Sequence, residues 1–250
     1  MQVRTGIPIM EQIVAGTLQF YHRTKPVVKE RSMLNWREEK ERFDRAQRQA
    51  ILELAALYDR SSEQVGEKTA AVFAIHAMLL EDEELVDSVF RLISQRGVTA
   101  EYAVMMTGRT FADTFEQMDS PYMKARAADI RDLARRVLRC LMGNWRPLRL
   151  EEPVILVADS FLPSEVMEFD RNLLGLISRK GSIDSHTAQL LRAYHIPAIV
   201  DVELEEAWEG HPALMDCHDG HIYLDPEPEL LNELRERYQA GGCPREYAAK

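Results

Sequence analysis

The hydrophobic positions of this chain change their period twice. In the first twenty residues Ile7, Ile9, Ile13 and Leu18 alternate loosely among turn-formers, which predicts one or two short strands. From about residue 34 to 143 the pattern is helical throughout. Phe43, Ala46, Ala50, Leu54 and Leu57 recur at spacings of three and four, the signature of one buried stripe on a long helix. A second helix carries Ala71, Ile75, Met78 and Leu79, and a third carries Leu85, Val89 and Leu92 before stopping at Gly97. Thr99 is placed to cap the next helix, and Ser120-Pro121 forms an N-cap and first-turn pair for the one after. That last helix buries Ile130, Leu133, Val137 and Leu141 and ends at Gly143-Asn144.

From residue 150 the texture becomes mixed. Val154–Ala158, Leu173–Ser178 and Ala198–Val200 are short, nearly continuous apolar runs, as expected of strands covered on both faces. Leu214-Met215-Asp216, Asp219-Gly220 and His221-Ile222-Tyr223-Leu224 predict a hairpin with a two-residue turn. Residues 228–239 are charged and helical. Strand-bearing segments thus flank a helical stretch. The predicted fold is an α/β domain of residues 1–20 plus 146–230, with an all-α helical-bundle domain inserted at 28–145. Residues 231–250 are left as a C-terminal helix or linker.

Composition narrows the class. The chain has 250 residues, 46% hydrophobic and 29% charged, which is globular and long enough for one large or two ordinary domains. A net charge of −10 argues against nucleic acid and permits a basic protein surface as partner. Cys140, Cys217 and Cys243 are too scattered for a disulfide framework. No apolar run reaches the roughly 18 residues of a membrane span, and the start lacks a signal pattern, so a soluble cytoplasmic protein is expected.

The candidate chemistry centres on His186, within Lys180-Gly181-Ser182-Ile183-Asp184-Ser185-His186-Thr187. A glycine-containing loop runs into Ser-His-Thr, and a short amphipathic helix follows, ending before Pro197. The imidazole therefore sits at a helix N-terminus, where unpaired N–H groups and the positive end of the helix dipole favour an anion. A histidine there can carry a phosphoryl group; it can equally be a buried structural N-cap residue. Asp184 would repel that group if it faced inward. His211, Asp216, Cys217, His218, Asp219 and His221 are better explained by the hairpin than by a metal, and no metal site is assigned.

The segment resembles the active-site stretch of enzyme I, the phosphoenolpyruvate-protein phosphotransferase that opens the bacterial sugar phosphotransferase system. Gly181, Ser185, His186, Thr187, Arg192 and Pro197-Ala198-Ile199-Val200 match its pattern. Three further blocks follow the family's order: Ile75-His76-Ala77-Met78-Leu79-Leu80-Glu81-Asp82-Glu83-Glu84-Leu85, Tyr122 to Asp132, and Val154–Ala158 leading to Pro163-Ser164-Glu165. Together they cover roughly residues 60 to 226, and the Leu-Leu-Glu-Asp-Glu-Glu-Leu run singles out enzyme I. The chain is a divergent member. Ser182, Ile183-Asp184 and Asp201 replace the family's glycine, Arg-Thr and glycine, and Val166 stands where a threonine hydroxyl is usual.

The resemblance implies an α/β phosphohistidine domain with an inserted helical domain that docks the small phosphocarrier HPr. His186 would be the phospho-acceptor, with Ser185, Thr187 and Arg192 as candidate partners of the phosphoryl group. The carrier-docking surface would comprise Glu67, Ala71, Met78, Leu79, Glu83, Glu84, Leu85, Phe115 and Arg126, with Lys68 replacing a carboxylate usual in the family. Phosphoenolpyruvate and magnesium belong to the family's C-terminal barrel, in cis or in trans; none is expected on this chain, which by itself should not phosphorylate itself from phosphoenolpyruvate. Two other functions stay open: an impaired docking or regulatory module, and the carrier domain of a multidomain dihydroxyacetone-kinase-type phosphotransfer protein.

Overall fold

The computed structural model describes residues 2–24, 26–143 and 148–239. The N-terminal segment forms three strands rather than one or two: β1 (Gln2–Thr5), β2 (Ile7–Pro8) and β3 (Ile13–Phe20). Short strands separated by a single residue defeat a period-two reading of so brief a stretch.

Five helices follow: α1 (Trp36–Val65), α2 (Glu67–Leu80), α3 (Glu83–Arg96), α4 (Ala100–Glu116) and α5 (Pro121–Met142). Asn35 closes a capping box with Glu38 at the start of α1, and Asp82 and Thr99 accept first-turn N–H groups of α3 and α4. Phe43, Ala46, Ala50, Leu54 and Leu57 are all buried, as the periodicity requires. On α2 the inward face is Ala70, Val72, Phe73, His76 and Leu80, so Ile75 and Met78 stand exposed on the other side. α4 and α5 pack closely at Gly108, where a Cβ would lie 2.4 Å from Ala134 Cβ. Alanine in place of a helical glycine ordinarily stabilises by about 1 kcal/mol. Here Gly108→Ala is expected to destabilise, by about 1–3 kcal/mol of overpacking. Denaturant melts check this, and the pair Gly108→Ala/Ala134→Gly should recover most of the loss.

The chain then returns through β4 (Val154–Ala158), α6 (Pro163–Val166), β5 (Leu173–Ser178), α7 (His186–Ala193), β6 (Ala198–Val200), a 3-10 turn at Glu206–Trp208, β7 (Pro212–Asp216), β8 (His221–Leu224) and α8 (Pro228–Gln239). Among the described residues the strands form one sheet in the order β1-β8-β7-β3-β4-β5-β6-β2. Its centre, β3 to β6, is parallel, and the flanking pairs are antiparallel. Parallel neighbours need a crossover connection. The crossover from β3 to β4 is the segment that has grown into the five-helix domain, which is why strands flank the helices in sequence. The β5–β6 crossover carries α7, so His186 opens a helix at the carboxyl end of the central parallel strands.

The hairpin differs from expectation in its turn. Asp216 pairs with His221, so the connection is the four residues 217–220 rather than Asp219-Gly220 alone. Gly220 holds φ +73°, and a Cβ there would meet the Gly6 carbonyl oxygen at 2.3 Å, a close approach that only glycine accommodates. α8 lies back on the sheet: Leu234 is buried, and the Tyr238 hydroxyl donates to Asp216 Oδ2 at 2.9 Å. Asn144, the domain boundary at 145–146, Cys243 and the rest of the segment after 239 lie outside the described residues.

Candidate phosphoacceptor site

Ser185 is the N-cap of α7. Its hydroxyl accepts the Ala188 N–H at 3.1 Å and donates to the Ser182 carbonyl at 2.8 Å. The loop before it is thereby fixed, and His186 occupies the first helical position. Asp184 and Ile183 are exposed. The acidic neighbour therefore faces solvent and does not crowd the ring. Thr187 donates its hydroxyl to the Phe161 carbonyl at 3.2 Å, tying α7 to the loop after β4. Arg192 donates Nε to the Ile9 carbonyl and Nη1 to the Ile183 carbonyl, both at 2.9 Å. It ties the loop before α7, at Ile183, to the segment just after β2.

The ring itself is turned toward the helical domain and is only 9% exposed. Nδ1 of His186 lies 2.9 Å from Asp129 Oδ2 on α5, a close polar contact rather than an aligned hydrogen bond. The other oxygen of Asp129 lies 3.4 Å from Nε2 of His76 on α2. Arg126 Nη1 approaches Asp129 Oδ2 at 3.2 Å, one turn earlier on α5, and its guanidinium covers the Tyr122 ring at 4.3 Å. Burial by itself would raise the Asp129 carboxyl; the two imidazoles facing it outweigh that and hold it well below the ordinary carboxylate range. Behind His76, Asp132 accepts the backbone N–H of Ser164 at 2.9 Å and its hydroxyl at 2.5 Å, and stands 3.9 Å from His76 Nδ1.

A second buried network centres on α6. Glu165 on α6 receives Arg23 Nε at 2.6 Å, Arg23 Nη2 at 2.5 Å, the Tyr21 hydroxyl at 3.1 Å and the Leu162 N–H at 2.9 Å. Val166, in the place of the expected hydroxyl, is buried among apolar neighbours. No threonine reaches His186 from there; Asp129 occupies the Nδ1 side instead.

The expected docking residues fall on two neighbouring surfaces. Glu67, Met78, Glu83 and Glu84 are exposed on α2 and α3, with Ala71, Leu79 and Leu85 half-buried between them. Arg126 is half-buried beside the histidine cluster, and Phe115 on α4 packs against the core edge. Sequence reasoning placed His76, Asp129 and Asp132 within matching blocks without giving them a role. The available signal was the pair of carboxylates set in the buried stripe of α5, which apolar periodicity passes over. The histidines and acids near the hairpin stay dispersed: His211 pairs with Asp225, and His218 stacks on Tyr238 at 3.8 Å.

Comparison with known proteins agrees with this architecture. The N-terminal model of PEP-utilising enzymes matches residues 5–126, and the mobile-domain model of the same enzymes matches 150–220. The phosphoenolpyruvate-protein phosphotransferase of Bacillus sp. (strain S) is 37% identical over 207 residues, 80% of this chain and 36% of that protein. That of Bacillus subtilis (strain 168) is 33% identical over 245 residues, 96% of this chain and 43% of that protein. Among solved structures, an NMR structure of enzyme I (nEIt) superposes with a TM-score of 0.66 at 25% identity, covering 95% of this chain and 99% of that one. The N-terminal domain of enzyme 1-nitrogen gives 0.58 at 27% identity, covering 94% and 99%. The chain belongs to the PEP-utilising enzymes, as a counterpart of the N-terminal half of enzyme I. It spans less than half the length of the curated relatives it matches.

Proposed function

We propose that this chain is a phosphoryl carrier, which accepts a phosphoryl group on His186 Nε2 and exchanges it with the histidine of HPr or an HPr-like protein. The observation that carries the reading is His186 at the first position of α7 with its Nδ1 against the Asp129 carboxylate. A neutral imidazole whose Nδ1–H faces a carboxylate has its lone pair on Nε2, the nitrogen then left to react. Transfer breaks the P–N bond of the carrier as the P–Nε2 bond forms, and the carrier's imidazole leaves with the electron pair. Phosphoryl transfer depends mainly on positioning and charge stabilisation. The first-turn N–H groups of α7 not taken by the Ser185 cap supply fixed positive dipole near the new anion.

Docking would use the exposed Met78 and Ile75 of α2, which flank the buried His76, rimmed by the carboxylates of Glu67, Glu83 and Glu84. Opposite charges speed encounter, and the apolar centre supplies hold. Lys68, exposed among these acids, reduces the charge contrast. Met78 is 70% exposed, so Met78→Asp should leave the fold intact and weaken HPr binding about tenfold or more. Calorimetric titration measures this; unchanged affinity would remove α2 from the docking surface. The group's ultimate source would be phosphoenolpyruvate with magnesium, bound by the portion that the full-length relatives carry beyond this region. The test of the whole reading is mass gain on incubation with phosphorylated HPr, with His186→Ala as the control.

A further inference from the structure

We propose that His76, Asp129 and His186 form a binding site for a divalent transition-metal ion of the zinc class, and that metal and phosphoryl group exclude each other at His186. One ligand atom from each of the three residues lies within 4.8 Å of the others. The 3.4 Å from His76 Nε2 to Asp129 Oδ1 matches the spacing between neighbouring ligands in a tetrahedron with legs of about 2.0–2.1 Å, and His186 Nδ1 lies 2.9 Å from the other oxygen of the same carboxylate. The donor set of two imidazoles and one carboxylate suits zinc, cobalt, nickel or copper rather than magnesium.

The surroundings support an ion more directly than the spacing does. His76 is fully buried, and neither of its ring nitrogens makes an aligned hydrogen bond; His186 Nδ1 is likewise buried, with only its unaligned contact to Asp129. Buried polar atoms without aligned partners are costly, and here two of them, His76 Nε2 and His186 Nδ1, face one carboxylate. A metal-ligating histidine commonly points its other nitrogen at a carboxylate. Asp132 stands in that place behind His76, itself fixed by Ser164. Arg126 is the competing cation, 3.2 Å from Asp129 Oδ2. Asp129 Oδ1, the oxygen facing His76, remains open to an ion while Arg126 keeps its contact.

The consequence follows from imidazole tautomers. A neutral imidazole that gives its Nδ1 lone pair to a metal carries its proton on Nε2. It then has no lone pair with which to attack phosphorus. The ion would also tie α2 and α5 of the helical domain to α7, holding the ring in its inward position. Bound metal is thus a reversible inhibitor of phosphoryl acceptance. The inhibitory half of this proposal rests on His186 being the acceptor; the binding half does not.

Cobalt(II) titration of the purified chain tests binding without reference to phosphotransfer. The expected result is one ion per chain with the visible absorption of a tetrahedral site, displaced by zinc. His76→Gln and His186→Ala should each weaken it roughly 100-fold, the upper range for losing even a supporting contact. In the unaltered chain, paramagnetically shifted NMR signals should come from two imidazoles, which keeps the test decisive if a variant fails to fold. One equivalent of zinc should suppress phosphate uptake from phosphorylated HPr, and a chelator should restore it. Absence of the tetrahedral band, or a band that His76→Gln leaves unchanged, overturns the site. A normal band with unimpeded phosphate uptake overturns the exclusion alone.

Discussion

Incubated with phosphorylated HPr, the native chain is expected to gain one phosphate, labile in acid and stable in base, and the His186→Ala chain none. The effect is all-or-none because no neighbour can take over. Ser185 and Thr187 have their hydroxyls committed to the Ser182 and Phe161 carbonyls. His76 is completely buried. The substitution removes an imidazole from a position whose cap, Ser185 to Ala188, does not involve the ring, and alanine is the better helix former. Circular dichroism should therefore show α7 and the fold retained. Intact-mass measurement reads the transfer directly. Phosphate on the His186→Ala chain would move the acceptor elsewhere. A native chain that binds HPr without gaining phosphate would leave docking as its function.

The largest expected loss of stability is at Glu165, which is 3% exposed and accepts four hydrogen bonds, two of them from Arg23. Glu165→Ala leaves the Arg23 guanidinium, the Tyr21 hydroxyl and the Leu162 N–H without their acceptor. Breaking a buried ion pair from one side costs about 3–5 kcal/mol. The lower end is expected because Arg23 keeps 22% of its side-chain surface and a bond to the Ser160 carbonyl. Denaturant titration should show the midpoint falling accordingly. Removing both charges, as Glu165→Leu with Arg23→Met, should recover a large part, since the penalty lies in the stranded charge rather than in the lost attraction. Equal losses in the single and double variants would assign the cost to packing at α6. In the native chain Tyr21 reports the same network: burial and the adjacent Glu165 carboxylate push its hydroxyl up to about 12.

The sequence by itself determined the alternation of segments, the long buried stripe of α1, the cap at Thr99, the buried strands β4 to β6, and His186 at a helix start. Each is a local property: a period, a capping side chain or a short apolar run sets it within about ten residues. It also determined the family, because four blocks in fixed order carry more information than any one of them. Tertiary structure decided what lies across from the histidine. His76, Asp129 and His186 are far apart in the chain and belong to α2, α5 and α7. They meet only because the β3–β4 crossover folds as a separate bundle and returns onto the β5–β6 crossover. The same packing turned Ile75 and Met78 outward on α2, though they share its apolar character with the buried Val72 and Phe73. Hydrophobic pattern records how apolar a face is; which apolar face is covered depends on what the rest of the chain brings against it. Asp184 shows the same limit in reverse. Its charge was legible, but only the conformation of the loop before Ser185 could turn that charge away from the ring and into solvent.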